Sequence, residues 1–189
     1  MTDNYDLVLL NGEVMLPDGL SQCNVGVKNG KIAIISGNGN LTGDKILDCK
    51  GLHVLPGVID SQCHFREPGL ENKENLESGM MAAIAGGVTT IFEMPNTKPL
   101  TINPESIKDK MNRAARAPWS DYAFYLGGTG NNGPDLPKWE NALGICGIKI
   151  FMGASFGPLL AASDEEVESV LSNGRRVVAV HAEDQFIMM

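Results

Sequence analysis

The residues best suited to chemistry fall in four short clusters, each within or just after an apolar run. The densest is Asp60-Ser61-Gln62-Cys63-His64-Phe65-Arg66-Glu67-Pro68-Gly69. On an extended strand residues 62, 64 and 66 point the same way, which would bring an amide, an imidazole and a guanidinium together at one strand end. A lone histidine after a strand is more often structural than ligating, but here an arginine and a carboxylate crowd the same few positions. Glu93-Met94-Pro95-Asn96-Thr97 closes a second run. Pro95 ends the pairing there, and Asn96 offers both a donor and an acceptor, its plain alternative being a turn asparagine. Lys149 lies inside Ile148-Lys149-Ile150-Phe151-Met152, where a buried ammonium is costly unless it is paired or loses its charge. The alternative is a lysine whose stem reaches out to the strand end. His181 closes a further run in Val180-His181-Ala182-Glu183-Asp184. Imidazoles at 64 and 181 suit zinc. His53 precedes an apolar run instead of following it and is read as structural, and Trp119 and Trp139 as packing residues.

These clusters need elements to position them. The first 50 residues alternate apolar and polar positions between turn signals: Leu7 to Leu10 before Asn11-Gly12, Asn24 to Val27 before Asn29-Gly30, then Lys31 to Ile35. Asn-Gly steps between such runs predict hairpins, and hence a small antiparallel β module. From Leu52 the rhythm changes. Strands are predicted at Val54 to Asp60, Val88 to Glu93, Tyr122 to Leu126, Cys146 to Met152 and Arg176 to His181. Helices are predicted at Asn75 to Ala85, at Pro104 to Ala117 and after Ser163, with Ser163 as N-cap and Glu166 as its capping-box partner. Strands alternating with helices indicate a parallel sheet with crossover helices. Five such units fit either a doubly wound sheet or part of a barrel. The polar clusters at strand C-terminal ends favour the barrel, and no GxGxxG or Walker A segment points to a nucleotide. The expected fold is α/β: a small antiparallel β-sandwich module over residues 1–51, then a partial (β/α)8 TIM-type barrel over 52–189.

Composition agrees with a cored globular protein, with 43% hydrophobic and 20% charged residues among 189. A formal charge of −8 and a pI near 4.8 give no sign of a nucleic-acid or anionic-membrane surface. The one dense acidic cluster, Asp164-Glu165-Glu166 with Glu168, reads as a helix first turn. No apolar run approaches the roughly 20 residues of a membrane span. The four cysteines form no CxxC pair and the N-terminus has no basic segment before an apolar stretch, so the expected compartment is the cytoplasm.

Together, Asp-x-x-x-His-Phe-Arg-Glu-Pro-Gly and Met-Pro-Asn-Thr resemble dihydroorotase, of the amidohydrolase superfamily, from about Leu52 onward. The leading β module resembles the small sandwich that accompanies these barrels. The resemblance implies zinc, one or two ions, with His64 as a ligand, Lys149 as a carboxylated lysine bridging the ions and His181 as a ligand of the second. It implies that Arg66 and Asn96 hold the carboxylate of a small-molecule substrate, in the interconversion of N-carbamoyl-L-aspartate and dihydroorotate of pyrimidine biosynthesis. Two departures stand out. Gln62 occupies the place of the first histidine of the family's His-x-His, and a glutamine carbonyl is a weak zinc ligand. The chain also stops after about five strands, whereas such a barrel takes about 250 residues, so the general base is expected beyond Met189 and the 189 residues alone are expected to be inactive. Two other readings compete. One is a non-catalytic homologue acting as a structural partner, for example of aspartate transcarbamoylase. The other is a different cyclic amidase such as an allantoinase or hydantoinase. A homo-oligomer is expected in any of these cases.

Overall fold

The computed structural model describes residues 4–37, 39–155 and 157–187. Packing divides the chain into two compact units, Met1–Pro56 and Gly57–Met189. No helix among the described residues is long and apolar enough to cross a membrane.

The first unit is a five-stranded sheet formed by β1 (Asn4–Leu16), β2 (Gly19–Lys28), β3 (Lys31–Ser36), β4 (Thr42–Asp48) and the short β5 (His53–Val54). The β2–β3 turn is as predicted: Asn29 and Gly30 have φ of 54° and 71°, the paired positive values that a two-residue hairpin of this kind requires. Asn11-Gly12 is not a turn. β1 runs straight through it, and Asn11, at φ 60°, marks a bulge where the β1–β2 register shifts between Leu9 and Gly12. A Cβ on Gly12 would meet Val54 Cγ2 at 2.7 Å, so that glycine serves close packing. The expected antiparallel module is also corrected. β1 pairs β2 antiparallel but β4 and β5 parallel, giving a mixed sheet. His53 lies here, 2.9 Å from Glu13.

The second unit carries a parallel sheet of β6 (Val58–Cys63), β7 (Val88–Glu93), β8 (Asp121–Gly127), β9 (Ile145–Phe151) and β10 (Val178–His181). Its helices are α1 (Leu76–Ala85), α2 (Pro104–Ala114), the single turn α3 (Leu136–Trp139) and α4 (Asp164–Asn173). Strand order follows chain order without reversal. A doubly wound sheet reverses at a switch point; this singly wound arc does not, which settles the alternative the sequence left open. The helices start where the sequence provides caps: Asn75, Asn103 and Ser163 each accept a backbone N–H at N3, and Ser163 with Glu166 forms the expected capping box. The core between sheet and helices is built on Met80, Ile91, Ile107, Phe124, Ile148 and Ile150, none more than 2% exposed. Trp139 packs against it, whereas Trp119, read as a packing residue, is 53% exposed.

Candidate active site

In a parallel sheet all C-terminal strand ends lie on one side, and the polar clusters collect there. β6 is displaced from the predicted run. Pro56-Gly57 interrupts Val54 to Asp60, and a Cβ on Gly57 would meet Thr89 Oγ1 at 2.1 Å, so the backbone comes close to β7 there. The strand begins at Val58 and continues to Cys63. His64 is therefore the first residue after the strand, and the alternation read across 62, 64 and 66 ends at Cys63. Gln62 is exposed while His64 and Arg66 are half-buried, so the three do not share one strand face. Arg66 adopts φ 69°, which turns the chain out of its extended path.

The loop after β6 is tied to the loop after β7. Met94 N–H donates to Cys63 O at 3.0 Å and Lys98 N–H to Pro68 O at 2.8 Å. This brings His64 to Asn96, with Nδ1 and Oδ1 2.8 Å apart. A carboxamide oxygen can only accept, so Nδ1 carries the proton and the Nε2 lone pair is left free. Burial lowers the His64 pKa, the Asn96 bond opposes this, and the charges of Arg66, Lys149 and Lys110 add to the lowering. The ring is thus held neutral, the form in which imidazole binds metals. Asn96 keeps its Nδ2 to donate elsewhere. Arg66 makes no ion pair among the described residues.

Lys149 sits on β9 between β8 and β10, beside Gly127 and Ala179. It is 2% exposed, and burial pushes its pKa down. No carboxylate among the described residues comes within ion-pair distance. Its Nζ lies 5.0 Å from the centre of the Phe151 ring, and His181 stacks on that same ring with centroids 5.7 Å apart. His181 Nε2 is buried and 2.9 Å from Glu183 Oε2, but without hydrogen-bond alignment. Among the described residues no three His, Cys, Asp or Glu side chains converge as a metal-binding group. The donors that do stand at the strand ends are two imidazole nitrogens, each without a hydrogen-bond partner, and an amine stripped of solvent and counterion. In chemistry these are donors of the kinds that a metal site takes. Gln62 is exposed, and its backbone N–H donates to Asp60 Oδ1 at 2.9 Å.

Two contacts around the site went unread in the sequence. Glu67 caps the start of α1 by accepting from Leu76 N–H at 2.9 Å and pairs with Arg113 of α2 at 3.2 Å. Beneath the loops, Glu93 pairs with Lys110, both essentially fully buried. A signal for the latter existed, since Lys110 falls three residues after Ile107 and four before Ala114, on the apolar face of α2.

A family described as dihydro-orotase-like matches residues 51–185. A dihydroorotase of Thermococcus kodakarensis is 34% identical over 94% of this chain and 41% of its own length. An allantoinase of Desulfitobacterium hafniense is 35% identical over 78% of this chain and 33% of its own. The solved L-hydantoinase (dihydropyrimidinase) of Arthrobacter aurescens superposes with a TM-score of 0.89 at 31% identity, covering 97% of this chain and 42% of that one. The chain thus spans a third to about two fifths of the length of these proteins.

Proposed function

Because the chain belongs to the dihydro-orotase-like family, whose relatives are cyclic-amide hydrolases, we propose that it forms part of a (β/α)8 barrel that interconverts N-carbamoyl-L-aspartate and dihydroorotate. The observation that carries this reading is Lys149: an amine 2% exposed, with no carboxylate partner among the described residues, at the strand ends that also bear His64 and His181. Carboxylation of that amine would exchange a costly buried cation for an anion. His64, carboxylated Lys149 and His181 would then hold zinc, with Gln62 at most a weak further donor. Zinc, when bound, supplies Lewis acidity toward the ring amide carbonyl and toward the attacking water.

The chain's own residues orient the substrate. Arg66 offers two parallel N–H donors to a carboxylate, and Asn96, its oxygen engaged by His64, keeps its Nδ2 to donate. A ring that carries a carboxylate, as dihydroorotate does, uses both. A neutral hydantoin ring leaves them without a partner, so the guanidinium favours the acid substrate even though dihydroorotase and hydantoinase relatives are about equally similar. Against catalysis stands Gln62, which would weaken one metal position and suits a non-catalytic partner of aspartate transcarbamoylase. The deciding experiment assays the full-length protein on dihydroorotate, hydantoin and allantoin, with zinc analysis alongside. Turnover of dihydroorotate above the other two supports the proposal. Preference for a neutral ring would make the protein a hydantoinase or allantoinase, and bound zinc without turnover would favour the non-catalytic reading.

A further inference from the structure

We infer that Asn132 is a positioning residue that locks the loop carrying Asn96 onto the end of β8, beside Lys149. The inference rests on the reading that Asn96 grips the substrate carboxylate. Asn132 is 8% exposed and lies in the segment that follows β8. Its Oδ1 accepts from Thr129 N–H at 2.8 Å, and its Nδ2 donates to Gly127 O at 2.8 Å and to Ile102 O at 3.1 Å. Gly127 ends β8, whereas Ile102 belongs to the segment between β7 and α2 that carries Asn96. One carboxamide thus bridges the ends of two strands, spending both of its N–H donors on carbonyl oxygens. Turned the other way round it would set its oxygen against those two carbonyls, so only one seating satisfies all three bonds.

The loop that Asn132 holds is closed by buried polar contacts of its own. Thr97 and Thr101 are each 1% exposed. Thr97 Oγ1 donates to Pro99 O at 2.8 Å, which leaves the Thr101 hydroxyl to donate to Thr97 Oγ1 at 3.1 Å. The N–H groups of Thr97 and Thr101 both reach Pro95 O, at 2.9 and 3.0 Å, and Gly127 N–H donates to Thr101 O at 2.8 Å. Asn96 is half-buried between the buried Pro95 and Thr97, so fixing its neighbours aims its side chain at His64. On the other side of the clamp Gly127 pairs with Lys149, and Gly128 N–H donates to Lys149 O at 2.8 Å. Loop and strand meet closely: a Cβ on Gly127 would meet Ile102 Cγ2 at 3.0 Å. Loss of the carboxamide would remove a donor from both sides of that contact at once, at a cost that falls on the loop more than on the strands.

The test joins hydrogen–deuterium exchange of the full-length protein to steady-state kinetics on dihydroorotate. In the wild type the peptide covering residues 95–102 should exchange about a hundredfold more slowly than an unstructured chain; exchange at the unstructured rate overturns the inference before any variant is made. Asn132→Ala should speed exchange of that peptide by about tenfold or more while peptides of β6 and β10 keep their rates. Unchanged exchange, or equal loosening in all three peptides, overturns it. If the alanine variant does not fold, Asn132→Ser, which keeps one donor, is read by the same criterion. In an active protein Asn132→Ala should raise KM about fivefold and change kcat less, and on an Asn96→Ala background it should raise KM no further. A rise of the same size on that background would mean that Asn132 does not act through Asn96, and overturns the inference. A wild type without turnover would sink the proposed function and leave the exchange result to judge this inference by itself.

Discussion

The bond from His64 Nδ1–H to Asn96 Oδ1 and the depressed pKa of the ring have a consequence for stability. The folded value lies below the unfolded one, so on acidification the unfolded chain takes up this proton first. The contribution of the neutral ring is present above the ordinary histidine range and declines as pH falls through that range toward the lower folded value. Denaturation midpoints measured from about pH 8 to about pH 5 should fall, and His64→Gln should flatten that component; identical slopes would contradict it. Arg66→Lys keeps the charge and loses the planar fork. KM for dihydroorotate should rise about tenfold, the loss of one charge-assisted hydrogen bond of about 1.5 kcal/mol. A neutral hydantoin should be bound as before, and equal effects on both substrates would mean that Arg66 only supports its loop. His64, Lys149 and His181 stand out in the sequence because each is a polar residue in or just after an apolar run. Contacts such as His64–Asn96 and Glu67–Arg113 were not legible, because they join positions 32 and 46 residues apart.

Among the elements, β6 shows what periodicity alone misses. Its apolar run spans two units, since Val54 pairs with β1 while Val58 pairs with β7, and only the Pro56-Gly57 step marks the break. Asn11-Gly12 carries the same letters as the true hairpin at Asn29-Gly30, yet its single left-handed residue makes a bulge. Local sequence could not separate the two, because the difference lies in what packs against Gly12. Gly79 in α1 gives the sharpest test of helix against loop. A Cβ there would meet the Phe65 ring at 2.6 Å, and Phe65 stands between His64 and Arg66. Gly79→Ala gains about 1 kcal/mol of helix propensity but overpacks a close contact at a cost of about 1–3 kcal/mol, so the clash should win. The expected result is a lower melting temperature together with a raised KM; a variant more stable than wild type with unchanged kinetics would contradict the packing.

For the whole molecule, the alternation of strands and helices disclosed the parallel sheet, and the polar clusters disclosed where its strands end. The parallel partners of β1 were not foreseeable, because parallel pairing leaves no turn signature between the strands it joins. Within the second unit β6 and β10 stand at the two ends of the sheet, and Val58, Ile59 and Val180 on them are 56%, 59% and 40% exposed. Apolar strands so placed invite association. The isolated 189-residue chain should therefore elute with an apparent mass that grows with concentration, and a monodisperse monomer at every concentration would count against this. The central claim, that Lys149 with His64 and His181 forms the metal centre of a cyclic amidase, is tested most directly by zinc content per chain of the full-length protein with and without Lys149→Ala. At least one zinc per chain is expected in the wild type and a loss of most of it in the variant. Equal zinc in the two proteins, or none in either, would contradict it.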